Sequence, residues 1–402
     1  MVKVASLFGQ LLGHVSRVEF EGLVKKTGAE KAAKGFRCWS QLVAMLFCHM
    51  GRADSLREIC NGLACCQGKL THLGVAEAPK KSTLAYANEH RPAVLFEQLF
   101  FATLGRLRGL RQLGLRKAAF GFSHKLLSLD STTISLCLSL FPWARYRQAK
   151  GGVKVHVLLD HDDYMPAWVL ITDARQHDVR AARLLQLPEG SIVVEDRGYC
   201  DYTLFGGWTR SGVFFVTRLK SGASYEVVET RAVPGGTLVQ SDEIIRLSGP
   251  KASEACPQHL RRVVVWDEVN EREFELLTNH LEMDAPTIGL IYKDRWEIEL
   301  FFKALKQNLK VKTFVGTSEN ALRVQIWTAL LALLLLKWLH HLSKARWSFA
   351  TLAVMLRLNL FTYRDLAAWL DDPYNTPPQP PGHIQQELPF GRLGQPLTAH
   401  AR

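Results

Sequence analysis

The stretch YKDRWEIELFFKALKQNLK, from Tyr292 to Lys310, decides how the rest of the chain is read. At about 100° per residue, Tyr292, Arg295, Glu299, Lys303, Lys306 and Lys310 share one helix face, and Ile298, Phe301, Leu305 and Leu309 fall on the opposite one. The apolar stripe predicts an amphipathic helix packed on a core. On the polar stripe a single carboxylate stands in a row of cations. Charge pattern by itself describes a solvated face on which Glu299 pairs with Arg295 and Lys303 at i±4. The spacing is more particular: a tyrosine, two residues, an arginine, three residues, a glutamate, six residues, a lysine.

Upstream, the apolar residues fall in short runs of strand length. KLLSLD, VKVHVLLD and MPAWVLIT predict three strands, ARQHDVRAARLLQL a helix, and SIVVED a fourth strand; GVFFVTRL follows as a fifth. Strand, strand, strand, helix, strand is the order in which an RNase H-like core begins, although other α/β folds share it. Asp130 closes the first run, before Ser131, Thr132 and Thr133. Asp196 closes SIVVED, before Arg197, Gly198 and Tyr199. Each is expected where a buried strand surfaces, the usual place for a catalytic group in an open α/β sheet. Either could equally be a turn aspartate, and Glu195 and Asp173 are the nearest rival carboxylates.

Three segments together resemble the signatures of DDE transposases of the insertion-sequence 4 type: LDSTT at Asp130, EDRGY at Asp196, and the Tyr292, Arg295, Glu299 and Lys306 spacing within RWEIELFFKALKQNL. The resemblance extends over most of residues 30 to 340. It implies that Asp130, Asp196 and Glu299 hold Mg²⁺, with Mn²⁺ as a possible substitute, under the two-metal scheme of phosphodiester chemistry. It also implies that Tyr292, Arg295 and Lys306, with Lys303 and Lys310 on the same face, grip DNA. Hydrolysis at the element's end would free a 3′ hydroxyl, which attacks the opposite strand to give a hairpin; the hairpin is reopened and the end joins target DNA. An aromatic residue in a β-rich insertion often receives a base turned out near the cut, and Trp266 in RRVVVWDEV is the candidate.

The implied fold is α/β, an RNase H-like catalytic core (121–310) carrying a β-rich insertion (221–280). YEVVET, TLVQSDEIIRL, RRVVVW and FELLTN supply the insertion's strands. A helical DNA-binding domain (1–120) precedes the core, C-terminal helices (311–370) follow it, and a proline-rich tail expected to be disordered (371–402) ends the chain.

Composition agrees with a folded, DNA-acting protein. The 402 residues are 47 % hydrophobic and carry a formal charge of +12, of which residues 1–120, with 18 Lys and Arg against 8 Asp and Glu, supply +10. Two short helices with a basic approach, SLREICNGL capped by Ser55 and a second capped by Ser82 after Lys80 and Lys81, suggest a helix-turn-helix-like unit. Double-stranded DNA, as terminal inverted repeats and target, is the expected partner, with a dimer in the synaptic complex. The expected setting is a bacterial or archaeal cytoplasm at the nucleoid, with no membrane. The run from Ile326 to Leu336 is too short for a span and reads as a buried core helix.

The 8 cysteines lack a disulfide pattern, and Cys60, Cys65, Cys66 and His72 lack a zinc-finger spacing. Walker-type phosphate loops, GxSxG elbows and HExxH motifs are absent. His177 with Asp178 reads as structural or supporting. The alternatives are an RNase H-like nuclease that only hydrolyses and a DNA-binding relic of decayed catalysis. Inverted repeats flanking the reading frame, and joining of a supplied 3′ hydroxyl end, separate the three.

Overall fold

The computed structural model describes residues 5–31, 33, 35–66, 68–110, 123–137, 139–147, 150–309 and 314–379. The chain opens with helices α1 (Leu7–Leu12), α2 (Arg17–Thr27), α3 (Cys38–Gly51), α4 (Leu56–Ala64), α5 (Lys81–His90) and α6 (Val94–Gly109). Ser55 caps α4 as expected: its hydroxyl accepts from the Glu58 N–H, and the Glu58 carboxylate returns a bond to the Asp54 N–H. Ser82 does not cap α5, which begins one residue earlier and has Lys80 at its cap without a side-chain bond.

The sheet follows. Its strands are β1 (Leu126–Leu136), β2 (Arg145–Arg147), β3 (Lys150–Asp160), β4 (Met165–Asp173), β5 (Ile192–Glu195), β6 (Phe214–Arg218), β7 (Tyr225–Thr230), β8 (Val239–Leu247), β9 (Leu260–Asp267) and β10 (Arg272–Thr278). They pair in the order β2-β3-β1-β5-β6-β10-β9-β8-β7, with β4 also on β3. β4, β3 and β1 are antiparallel neighbours, whereas β1, β5 and β6 run parallel. The segment expected as an insertion contributes β7 to β10, and it extends the sheet because β10 pairs with β6.

Helices cover both faces, as a sheet buried on both sides requires. α7 (Asp178–Ala182) and α8 (Tyr202–Arg210) lie on one, where Leu127, Leu129, Val193 and Phe215 pack with Phe205 and Trp208. On the other, Leu126, Ile192, Val194 and Val216 pack with Ile288, Ile291 and Tyr292 of α10 (Ala285–Asp294). α9 (Pro250–Ala255) bridges β8 and β9. α11 (Glu297–Asn308), α12 (Glu319–Leu342), α13 (Phe349–Asn359) and α14 (Leu366–Asp371) complete the order.

The boundary expected at residue 120 separates segments that pack together. α12 lies against α3, α5 and α6, and one apolar core runs from Leu7 through β3 and α11 to Leu370. Polar contacts fasten the same joint: the Asn320 amide donates to the Asn88 and Arg91 carbonyls at 2.8 and 2.7 Å, and His49 meets the Thr328 hydroxyl at 3.0 Å. Among the described residues α12 is the one helix long and apolar enough to cross a membrane; 89 % of its most apolar window is buried inside the protein. The run from Ile326 to Leu336 is thus the centre of a core helix. Residues 372–379 are docked, with the Gln379 N–H donating to the Tyr363 carbonyl at 2.6 Å. The remainder of the proline-rich segment lies outside the described residues.

Candidate active site

Side chains alternate across a strand, so the register of β1 against β5 places two carboxylates. The parallel pairing ends at Leu129↔Glu195, where β5 stops while β1 continues to Leu136 against β3. Asp130 and Asp196 are the next position on each strand, on the face of Leu126, Val194 and α10. Asp130 therefore stands within a long strand, not at a strand end as its sequence context suggests; the sheet opens there because its neighbour β5 is short. Alternation sends the rival Glu195 to the opposite face, where it is fully buried and burial pushes its carboxyl well above the ordinary carboxylate range. The other rival, Asp173, ends β4 and accepts from the Arg175 N–H in a turn.

The stretch from Tyr292 to Lys310 is not one continuous helix. α10 ends at Asp294 and α11 begins at Glu297, joined by tight bonds from the Ile298 N–H to the Arg295 carbonyl and from the Glu299 N–H to the Trp296 carbonyl. The apolar stripe is as read: Ile298, Phe301, Leu305 and Leu309 are buried. The polar stripe divides. Tyr292 and Arg295 are buried, each 9 % exposed, and Lys303 is exposed. Lys306 Nζ donates to the Thr133 carbonyl of β1 at 3.3 Å, and Lys310 lies outside the described residues. Tyr292 is no open grip. It belongs to the core beneath α10, its ring 5.9 Å from that of Phe274.

Arg295 ties the carboxylates together. Its guanidinium is 3.1 Å from Glu299 and 3.7 Å from Asp130, and Asp196 is near enough to act on both Arg295 and Asp130. Burial pushes the Asp130 carboxyl up to about 6; the Ser131 N–H and Arg295 oppose the rise, and the charges of Asp196 and Glu299 add to it. Around the guanidinium, no three His, Cys, Asp or Glu side chains among the described residues are gathered tightly enough to hold an ion as they stand. The donor set nevertheless fits a hard divalent cation. Three carboxylates, on β1, just past the end of β5 and on α11, act on one guanidinium, a cationic group in their midst.

This arrangement implies a stability cost that can be measured. The Asp130 carboxyl titrates near 6 in the fold against 3.8 ordinarily, so its contribution is fully present below the lower value and lost as pH rises through about 6. The metal-free Asp130→Asn variant is expected to be more stable than the parent at pH 8 by roughly 1–3 kcal/mol, with no gain at pH 3.5. Denaturant unfolding at the two pH values measures this, and an equal effect at both would contradict it.

Two cations beside the site carry no sequence signal. Arg218 and Arg272 lie over the Phe274 ring at 4.9 and 4.7 Å, beside Tyr292. Ser131 donates to Asp178 at 2.7 Å and Lys154 reaches the same carboxylate at 3.2 Å, so Asp178 fastens β1 and β3 behind Asp130, in the supporting role read for it. Trp266 requires correction. Its neighbour Val265 pairs with Phe274 and packs under α10, so alternation turns Trp266 away from the face that holds Asp130, Asp196 and Tyr292. Phe274 is the ring of this segment on the site's own face.

Comparison with known proteins bears on this geometry. The family model described as a transposase DDE domain matches residues 121–335, and a domain of unknown function matches residues 3–76. A putative transposase y4zB of Sinorhizobium fredii is 34 % identical over 76 % of this chain and 83 % of its own length. A probable transposase for insertion sequence element IS5377 of Geobacillus stearothermophilus is 32 % identical over 56 % of this chain and 59 % of its own. The transposase InsG for insertion sequence element IS4 of Escherichia coli is 23 % identical over 38 % and 36 %.

Proposed function

The chain belongs to the transposase DDE-domain family, with relatives that serve IS4-type elements, and from that premise we propose that Asp130, Asp196 and Glu299 are the carboxylates of its DNA cleavage and strand-transfer site. The observation that carries the assignment is their convergence on Arg295 where β5 stops short of β1. The strand order β4-β3-β1-β5-β6, antiparallel then parallel, supports an RNase H-like core beneath it.

In this reading Mg²⁺, or Mn²⁺ in its place, is held by Asp130, Asp196 and Glu299 and supplies Lewis acidity for phosphodiester chemistry. Arg295 exchanges its carboxylate partners for phosphate oxygens of the DNA, for which its planar fork is suited. Lys306, against β1 three residues beyond Asp130, and the exposed Lys303 hold the strand that leaves the site. Arg218 and Arg272, which rest over the Phe274 ring, are the cations of this segment placed to meet the strand beside the cut. A hairpin intermediate needs such a bent, held strand, and two ends brought together need a dimer on DNA.

The test is a full-length protein incubated with a labelled duplex of the element's end and Mg²⁺. Cleavage at the end followed by joining to a second duplex is the expected result. Cleavage with no joined product would make the protein a nuclease.

Sequence-specific holding of the ends falls to the basic N-terminal third. Arg57, Asn61, Lys80 and Lys81 line a cleft of about 520 Å³ between α4 and α5. Replacing Lys80 and Lys81 together by alanine is expected to weaken end binding of the whole chain and to lower the slope of log affinity against log salt by about 2. Titration at several salt concentrations measures the slope, and an unchanged one places the phosphate contacts elsewhere.

A further inference from the structure

A second polar assembly lies beside the carboxylates and is not explained by them. His161, in the turn between β3 and β4, meets the Ser128 hydroxyl through Nε2 at 2.6 Å and Asp294 Oδ2 through Nδ1 at 2.7 Å. The Tyr164 hydroxyl donates to the same Asp294 oxygen at 3.3 Å. Ser128 is fully buried and His161 is 7 % exposed, so the serine and the imidazole are closed off from a substrate, while Asp294 is partly exposed. Their place in the chain is what matters. Ser128 is two residues before Asp130 on the same face of β1, and Asp294 is the last residue of α10, directly before Arg295.

The turn that carries His161 is itself gripped from three further directions. Arg108 of α6 binds Asp163 at 2.5 and 2.8 Å, Lys125 binds Asp160 at 2.8 Å, and the half-buried Lys337 of α12 donates to the Tyr164 carbonyl at 2.7 Å. Tyr164 adopts a left-handed backbone, φ 52°, uncommon for a bulky residue. Such a conformation persists where its surroundings over-determine it. Asp294 also sits badly for its helix: a carboxylate at a C-terminus opposes the helix dipole, where a cation is favoured. Both features are explained if the turn serves to hold the end of α10.

We propose that the buried Ser128–His161–Asp294 relay is a positioning device that fixes the break between α10 and α11 against β1, and thereby aims Arg295 and Glu299 at Asp130. The reaction it serves is the one proposed above, and the inference rests on that reading for its catalytic consequence. These are positioning residues, acting through Arg295 and Glu299. Geometry is the quantity at stake, because a misplacement of about 1 Å at a reacting centre can cost roughly 100-fold in rate.

The experiment compares full-length Asp294→Ala, Asp294→Asn and His161→Gln with the parent. Amide hydrogen exchange is followed without DNA, and cleavage of the element's end with Mg²⁺. In Asp294→Ala, exchange across residues 295–299 is expected to rise about 10-fold or more while α12 is unaffected. Cleavage is expected to fall about 30- to 100-fold with end binding within about 2-fold. Asp294→Asn keeps an acceptor for the imidazole N–H and should restore most of both. If Asp294→Ala does not fold, His161→Gln, which cannot span both partners, gives the same two readings. Unchanged exchange at 295–299, or no rescue by asparagine, overturns the proposal. Absence of cleavage by the parent overturns the proposed cleavage site instead, and exchange in the DNA-free protein still decides the relay.

Discussion

Replacing Asp130, Asp196 or Glu299 by alanine is expected to lower cleavage of the element's end by about 1000-fold or more, because each removes an oxygen donor from a site whose chemistry depends on divalent charge. End binding should remain within a few-fold of the parent, since affinity for DNA resides mainly in the cations that neutralise phosphates. The three variants should differ in the free protein. Alanine at Asp130 removes a partly buried carboxyl whose ionised form is disfavoured by its desolvation and by its acidic neighbours, so that variant should be no less stable than the parent near neutral pH. Alanine at Glu299 removes the 3.1 Å partner of a buried guanidinium, leaves that cation with fewer counter-charges, and should lower the melting temperature. Gel-shift affinity, cleavage rate and thermal unfolding on the same preparations check this pattern. Retained cleavage in any of the three would remove that residue from the site.

The sequence made the elements legible and left their joints obscure. Strand-length apolar runs predicted β1, β3 to β10 and their order, because a strand buried on one or both faces leaves its mark in the spacing of its own residues. Asp130 and Asp196 were found through motif spacing, but the reason they meet is the unequal length of β1 and β5 and the register Leu129↔Glu195, which no single run encodes. The signature stretch showed its apolar stripe and hid its break after Asp294, since Arg295 and Trp296 are ordinary helix residues and contain no proline or glycine. His161 was invisible for a related reason. Its partners lie 33 residues before it and 133 after, and a hydrogen bond between such positions has no periodicity. Packing across the expected boundary at residue 120 was not legible either, because the partners that α12 finds in α3, α5 and α6 lie more than 200 residues before it in sequence.

The burial of Arg295 sharpens what its loss should do. In the free protein the guanidinium lies between Asp130 and Glu299, and with DNA bound it is proposed to turn to phosphate, so Arg295→Ala removes both a counter-charge and a strand contact. Lys306→Ala is expected to act mainly on the second, since its ammonium donates to the Thr133 carbonyl on β1, three residues beyond Asp130. Both variants are therefore expected to keep part of the first cut, within about 10-fold of the parent, and to lose hairpin formation by roughly 100-fold, the step in which a sharply bent strand must be held in line. Arg295→Lys should recover the counter-charge but not the bidentate fork, so it should restore nicking more fully than hairpin formation. Tyr292→Phe should be mild: the ring stays packed on Phe274 in the core beneath α10, and only the hydroxyl near Arg295 is lost. Nicked and hairpinned products of one labelled end duplex, resolved for each variant with Mg²⁺, make the comparison. Equal loss of both products in Lys306→Ala would show that this lysine acts in general binding or folding, and a hairpin yield in Arg295→Ala as high as the parent's would show that the buried guanidinium serves the carboxylates alone.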